Sequence, residues 1–156
     1  MNAAIASAAV VVRRTIAASA EDLFDAWLDP EALATWMRPG TIRSTVAKVE
    51  PHEGGCYAIT MLSQSGPIVH KGVYRQIDRP KRLVFTWASP GTELRDTLVT
   101  VDFVRVDKHT EVIVTHEQLP EGAKPSHSIG WTRALEHLEQ ACAQSYFRES
   151  SAARYV

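Results

Sequence analysis

From residue 41 onward the chain is punctuated by turn-forming clusters at near-regular spacing. They are Glu53-Gly54-Gly55, Ser65-Gly66-Pro67, Asp78-Arg79-Pro80, Ser89-Pro90-Gly91 and Asp107-Lys108-His109. The segments between them have strand length, and several alternate apolar and polar residues. Short period-two segments bounded by turn residues build an antiparallel meander. The expected strands cover residues 41–50, 55–63, 68–77, 82–88, 94–106 and 110–117. One more strand, Val10–Ile16, is rich in β-branched residues and precedes them.

Two short helices are expected between that first strand and the meander. Ser19-Ala20-Glu21-Asp22 has the form of a capping box, with Ser19 as N-cap. Leu23, Ala26 and Trp27 follow at helical spacing. Asp29-Pro30-Glu31 opens the second helix, with Asp29 as N-cap and Pro30 at its first position. It carries Leu33 and Trp36 and stops at Arg38-Pro39-Gly40.

Alternation assigns the strand faces. Tyr57, Ile59 and Met61 share one face, as do Leu83, Phe85 and Trp87. Val99, Val101 and Phe103 form a third inward set, and Val112, Val114 and His116 a fourth. The positions between them, such as Thr60, Thr86, Thr100, Asp102 and Thr115, are polar. One face is therefore wet and the other needs a cover. Residues 126–145 supply it: Trp131, Leu135, Leu138 and Cys142 lie on one stripe of a helix about 30 Å long.

The length of 156 residues suits one domain spanning 1–156, with its core at about 8–145 and a polar tail at 148–156. Folding at this size buries about two-thirds of the chain's surface, so no staple is required. Lys and Arg number 17 against 18 Asp and Glu, a net charge of −1. That balance lacks the basic footprint of a nucleic-acid binder. No apolar run approaches the ~20 residues that span a bilayer, so no membrane insertion is expected. Arg13 and Arg14 follow the apolar N-terminal run, whereas a secretory signal places its charge ahead of it. The expected location is the cytoplasm. Cys56 and Cys142 form no CxxC pair and read as buried small hydrophobes of a reducing compartment.

Reaction signatures are few. The six histidines, at 52, 70, 109, 116, 127 and 137, form no metal-ligand spacing. Gly54-Gly55 is a hairpin turn without a following GK[ST], and no GxSxG nucleophile elbow occurs. No metal and no cofactor are expected.

The order of strand, two helices, six strands and long helix resembles the helix-grip fold of the START-like (SRPBCC) superfamily. The finer resemblance is to the branch named after the activator of heat-shock protein 90 ATPase. It is carried by Ala18 to Phe24 before Trp27, by Asp29-Pro30-Glu31 with Trp36, and by Gly54-Gly55-Cys56-Tyr57. Gly72-Val73-Tyr74 with Asp78-Arg79-Pro80, Leu83 to Trp87, Thr110 to His116, and Gly130-Trp131 with Leu135 and Leu138 complete it. The resemblance covers about residues 8–145. It implies an α+β fold: a curved antiparallel sheet of about seven strands with a long C-terminal helix packed across it. It also implies a cavity between the two. The superfamily holds lipid and hormone carriers, polyketide cyclases and chaperone cofactors, so the fold leaves the function open.

Under that resemblance the inward residues become ligand candidates: Tyr57, Ile59 and Met61; Phe85 and Trp87; Val99, Val101 and Phe103; Val114 and His116. Trp36 joins them at the cavity mouth. Trp131 and Leu135 lie on the helix face toward the cavity, where Trp131 reads first as core packing and second as a ligand contact. His116, Arg95 and Tyr57 are the candidates for acid–base work. Arg95 and Thr97 share parity with Val99 and Val101, which would aim Arg95 at a ligand carboxylate or leave it in solvent. His70 and His127 read as surface or loop residues, and His52 and His109 as solvent-exposed turn residues.

The expected function is binding of a small apolar, aromatic or lipid-like ligand in the cavity. The alternatives are a polyketide cyclase-like enzyme and a chaperone cofactor. An exposed edge strand also offers a route to a homodimer.

Overall fold

The computed structural model describes residues 8–143. Strand β1 (Val10–Ile16) is followed by helices α1 (Ala20–Ala26) and α2 (Pro30–Trp36). Strands β2 (Ser44–Val49), β3 (Cys56–Ser63), β4 (Gly66–Asp78), β5 (Arg82–Trp87), β6 (Thr97–Val106) and β7 (His109–Glu117) come next, then helix α3 (Lys124–Ala143). The sheet order is β1-β7-β6-β5-β4-β3-β2, every pair antiparallel. The sheet curls around α3, and the whole is the α+β helix-grip fold. The polar tail and the last two residues of the expected helix lie outside the described residues.

Local chemistry accounts for the helix starts. The Ser19 hydroxyl accepts the amide of Asp22 at 3.1 Å, and the Asp29 carboxylate accepts that of Glu31 at 3.0 Å. Each satisfies an amide that a helix start leaves unpaired. Ser19→Ala is expected to lower stability by about 1 kcal/mol, read as a shift in the urea midpoint at unchanged slope. An unchanged midpoint would show that the cap contributes nothing.

The inner face follows the period-two pattern. Leu83, Val99, Val101, Val112, Val114 and His116 are fully buried, and Tyr57, Ile59, Met61, Phe85, Trp87 and Phe103 nearly so. Helix α3 lays Trp131, Ala134, Leu135, Leu138, Ala141 and Cys142 on them. Toward its far end, Glu139 takes the Arg14 guanidinium of β1 at 2.7 Å, a part-exposed ion pair between helix and edge strand.

Three expectations change. Cys56 is exposed rather than buried, because it alternates with inward Tyr57 along β3. Strand β6 begins at Thr97 rather than at 94. The preceding segment is a 3-10 turn at Pro90–Thr92, capped by Ser89, and the backbone is left-handed at Glu93 and Leu94. Period-two parity therefore does not reach back to Arg95, which is exposed in that turn. Thr86 lies on the outer parity yet is 5% exposed, because its side chain accepts the amide of Val73 where the β4–β5 ladder becomes irregular.

Candidate functional site

The interior of the grip is largely filled by rings. Trp27 of the α1 C-cap lies at its centre, 4.7 Å from Trp36, 5.9 Å from Trp131 and 6.3 Å from Phe85 between centroids. Trp36 is entirely buried and donates its indole N–H to the Ala26 carbonyl at 3.0 Å. It is a packing residue, not one at the mouth. Phe103 packs on Phe24 and Trp27, and Val99, Val101, Val114 and Leu135 are sealed in the same core.

What remains open is a cavity of about 140 Å³ at the end of the grip where α3 begins. Met37 and Pro39 bound it after α2. Met61, His70 and Trp87 bound it from the sheet. Ser126, His127, Gly130, Trp131 and Ala134 bound it from α3. Deeper in, Tyr57, Ile59, Phe85 and Trp87 enclose a gap of about 10 Å³, which is no larger than one water. Of the expected ligand residues, Met61, Trp87 and Trp131 meet at the cavity, and Tyr57, Ile59 and Phe85 meet only at the gap.

His116 is bonded on both sides of its ring. The Trp131 indole N–H donates to its Nδ1 at 3.0 Å, so Nδ1 holds the lone pair and Nε2 the proton. That Nε2–H faces the Thr97 hydroxyl at 2.7 Å, and the hydroxyl donates onward to the Trp87 carbonyl at 2.6 Å. Burial, reinforced by neighbouring His127, pushes His116 down to about 3. It is a neutral strut joining β5, β6, β7 and α3, with no nitrogen left for a substrate. Tyr57 donates its hydroxyl to the Thr86 carbonyl at 2.5 Å, and burial raises its pKa far above the ordinary phenol value. Arg95 is not among the lining residues. None of the three acid–base candidates thus presents a free group to the cavity.

Two histidines that read as surface or loop residues face the cavity instead. His70 sits opposite Ile59 in the β3–β4 register, its ring 4.8 Å from that of Trp87, and burial pushes it down to about 4. Its parity with inward Tyr74 was the available signal. His127 lies one helical turn before Trp131, so extending the Trp131–Leu135 stripe backward by four residues reaches it. His52 and His109 are exposed as expected.

Among the described residues no cluster of His, Cys, Asp and Glu is arranged to hold a metal. No described helix is long and apolar enough to cross a membrane.

The architecture is shared with solved proteins. Protein CV1439 from Chromobacterium violaceum superposes with a TM-score of 0.75 at 22% identity, over 85% of this chain and 94% of that one. An Hsp90 activator from Plasmodium falciparum, PFC0360w, gives 0.68 at 26% identity, over 85% and 93%. CalU16 from Micromonospora echinospora gives 0.69 at 21% identity, over 94% and 83%. No curated protein matches the chain. The sequence matches the family described as Activator of Hsp90 ATPase homolog 1-like protein over residues 17–143, from the turn after β1 to the end of α3. The START-like resemblance and the helix-grip architecture agree with that match, and this chain belongs to the Activator of Hsp90 ATPase homolog 1-like protein family.

Proposed function

We propose that this chain binds a small apolar molecule in the cavity between the sheet and the start of α3. The observation that carries the reading is the cavity itself: about 140 Å³, apolar, and walled by the rings of Trp87 and Trp131. Concave apolar sites with few polar groups are where small ligands bind, and aromatic rings supply much of the contact. The volume suits a single ring, since an engineered cavity of about 150 Å³ in another protein takes up benzene.

Gly130 provides the test. A Cβ there would meet only Pro39 Cβ, at 3.9 Å, so a side chain enters the cavity without touching backbone. Leucine also favours the helix over glycine by roughly 0.5–1 kcal/mol. Gly130→Leu is expected to keep the fold and lose at least tenfold in affinity for toluene, followed by tryptophan fluorescence and calorimetry. Saturable binding unchanged in the variant, or no saturable binding by the native chain, would overturn the reading.

A second reading, chaperone cofactor, is favoured by the family and by the 26% identity to an Hsp90 activator. Stimulation of a purified Hsp90 ATPase by this chain would support it. No stimulation at stoichiometric excess would remove it.

A further inference from the structure

Deepening the proposed function, and resting on it, we infer that His127 is the specificity residue of the cavity. The ligand class is a neutral single-ring hydroxy-aromatic whose hydroxyl donates to His127 Nε2.

Charge narrows the class first. No Lys, Arg, Asp or Glu lines the cavity, so neither a carboxylate or phosphate nor an ammonium group finds a counter-ion. Volume narrows it next, to about one ring. Polarity then decides among what is left. The Trp87 indole nitrogen and His70 Nδ1 are both sealed within the protein, and the His70 ring is otherwise engaged by the backbone of Ile59 and Ile68. The Ser126 hydroxyl sits at the exposed rim and donates to the Ala123 carbonyl.

His127 differs from these. Its Nδ1 lies 2.8 Å from the Ala123 carbonyl, which can only accept, so Nδ1 carries the proton. The tautomer is thereby set, and Nε2 presents a lone pair with no hydrogen-bond donor from the described residues. Nε2 is not among the sealed nitrogens, and His127 lines the cavity. Two neighbours hold the ring in place. His116 meets it at right angles, 5.2 Å between centroids, and Gly91 leaves room where a Cβ would come within 3.4 Å of Cε1. His116 is already saturated, so Nε2 of His127 is the acceptor a ligand hydroxyl meets. A phenol fits this combination: ring against Trp87 and Trp131, hydroxyl on the histidine, no charge to bury.

Phenol and toluene have nearly the same shape and differ in that hydroxyl, so they serve as the probes. Calorimetric affinities for both are measured on the native chain and on His127→Phe, which keeps a ring and removes Nε2. The phenol-to-toluene affinity ratio is expected to fall about tenfold in the variant, the worth of one hydrogen bond. In the native chain with 15N-labelled histidine, the His127 Nε2 resonance is expected to shift on saturation with phenol and stay put with toluene. An unchanged ratio, or a resonance that responds equally to both, overturns the role of His127 while leaving cavity binding intact. Failure of both probes to bind the native chain overturns the cavity reading as well. The labelled-histidine measurement decides the matter if His127→Phe does not fold.

Discussion

Gly72→Ala is expected to lose about 4 kcal/mol or more, or to yield no folded protein at all. The reason is a crossing of three strands. Gly72 lies directly opposite Tyr57 in the β3–β4 register. On its other side, the Thr86 carbonyl leaves the regular ladder and takes the Tyr57 hydroxyl, while the Val73 amide pairs with the Thr86 side chain at 2.9 Å. A Cβ at Gly72 would overlap the Thr86 carbonyl oxygen, and would also fall 2.7 Å from its carbon and 2.8 Å from Oγ1. The first two contacts are with backbone in the middle of a sheet, which cannot swing aside as a surface side chain does. The strands must separate, and with them goes the Tyr57 hydrogen bond that satisfies a buried carbonyl. Yield of soluble protein and a urea unfolding curve check this. A variant within 1 kcal/mol of the native chain would mean that β4 and β5 relax far more easily than their packing indicates.

Acid is expected to weaken the native chain from pH 6.5 downward, above the carboxylate range, through His116 and His70. Both bases have folded-state values, about 3 and about 4, below the ordinary histidine value of 6.5. The unfolded chain therefore binds more protons than the folded one between those limits. Stability is fully present above pH 6.5 and is lost as the pH falls toward 4 and then 3. For His116 alone the loss by pH 4 is about 3 kcal/mol, at 1.36 kcal/mol per unit. His70 is half-buried and adds less, because solvent reaches part of its ring. His116→Gln removes the larger contribution. At pH 7 it is expected to cost about 2 kcal/mol, because an amide cannot reproduce both ring hydrogen bonds. Between pH 6.5 and 4 it should lose stability much less steeply than the native chain. Urea midpoints at three pH values in that window measure both effects. Parallel pH profiles for the two proteins would show that His116 takes up its proton in the folded state without penalty.

The same strut explains why His116 and the cavity cannot be read separately. The Trp131 ring is held by its indole N–H to His116, and the Trp87 backbone carbonyl is tied to the same histidine through Thr97, so one neutral histidine anchors the Trp131 ring and the strand that carries Trp87. Its role is positioning. The free nitrogen that a ligand would meet belongs to His127, on the neighbouring turn of α3.

How far the sequence reaches can be seen residue by residue. Ser19 and Asp29 cap their helices as their spacing predicts, because capping is a contact between a side chain and a backbone amide two or three residues away. The inward sets of β3, β5, β6 and β7 follow from period two, a property of each strand alone. The Trp131–Leu135–Leu138 stripe follows from the helical period in the same way. Element order and the family resemblance rest on such local patterns, and they carried the fold. Parity also held the information for Cys56 and His70, and the helical period that for His127, once continued from a neighbour whose facing was secure.

Other features were decided only by the packed chain. Arg95 leaves the inward face because Ser89 and Thr92 close a turn upon themselves, which shortens β6. Trp36 turns from the mouth to the core because Trp27, on another helix, lies beside it. Above all, the cavity is about 140 Å³ rather than a broad space because rings from α1, α2, β5 and α3 fill the grip together. Periodicity states which way a side chain faces. How much room remains depends on side-chain volumes brought together from segments as far apart as Trp27 and Trp131, and close packing leaves that remainder to the tertiary structure.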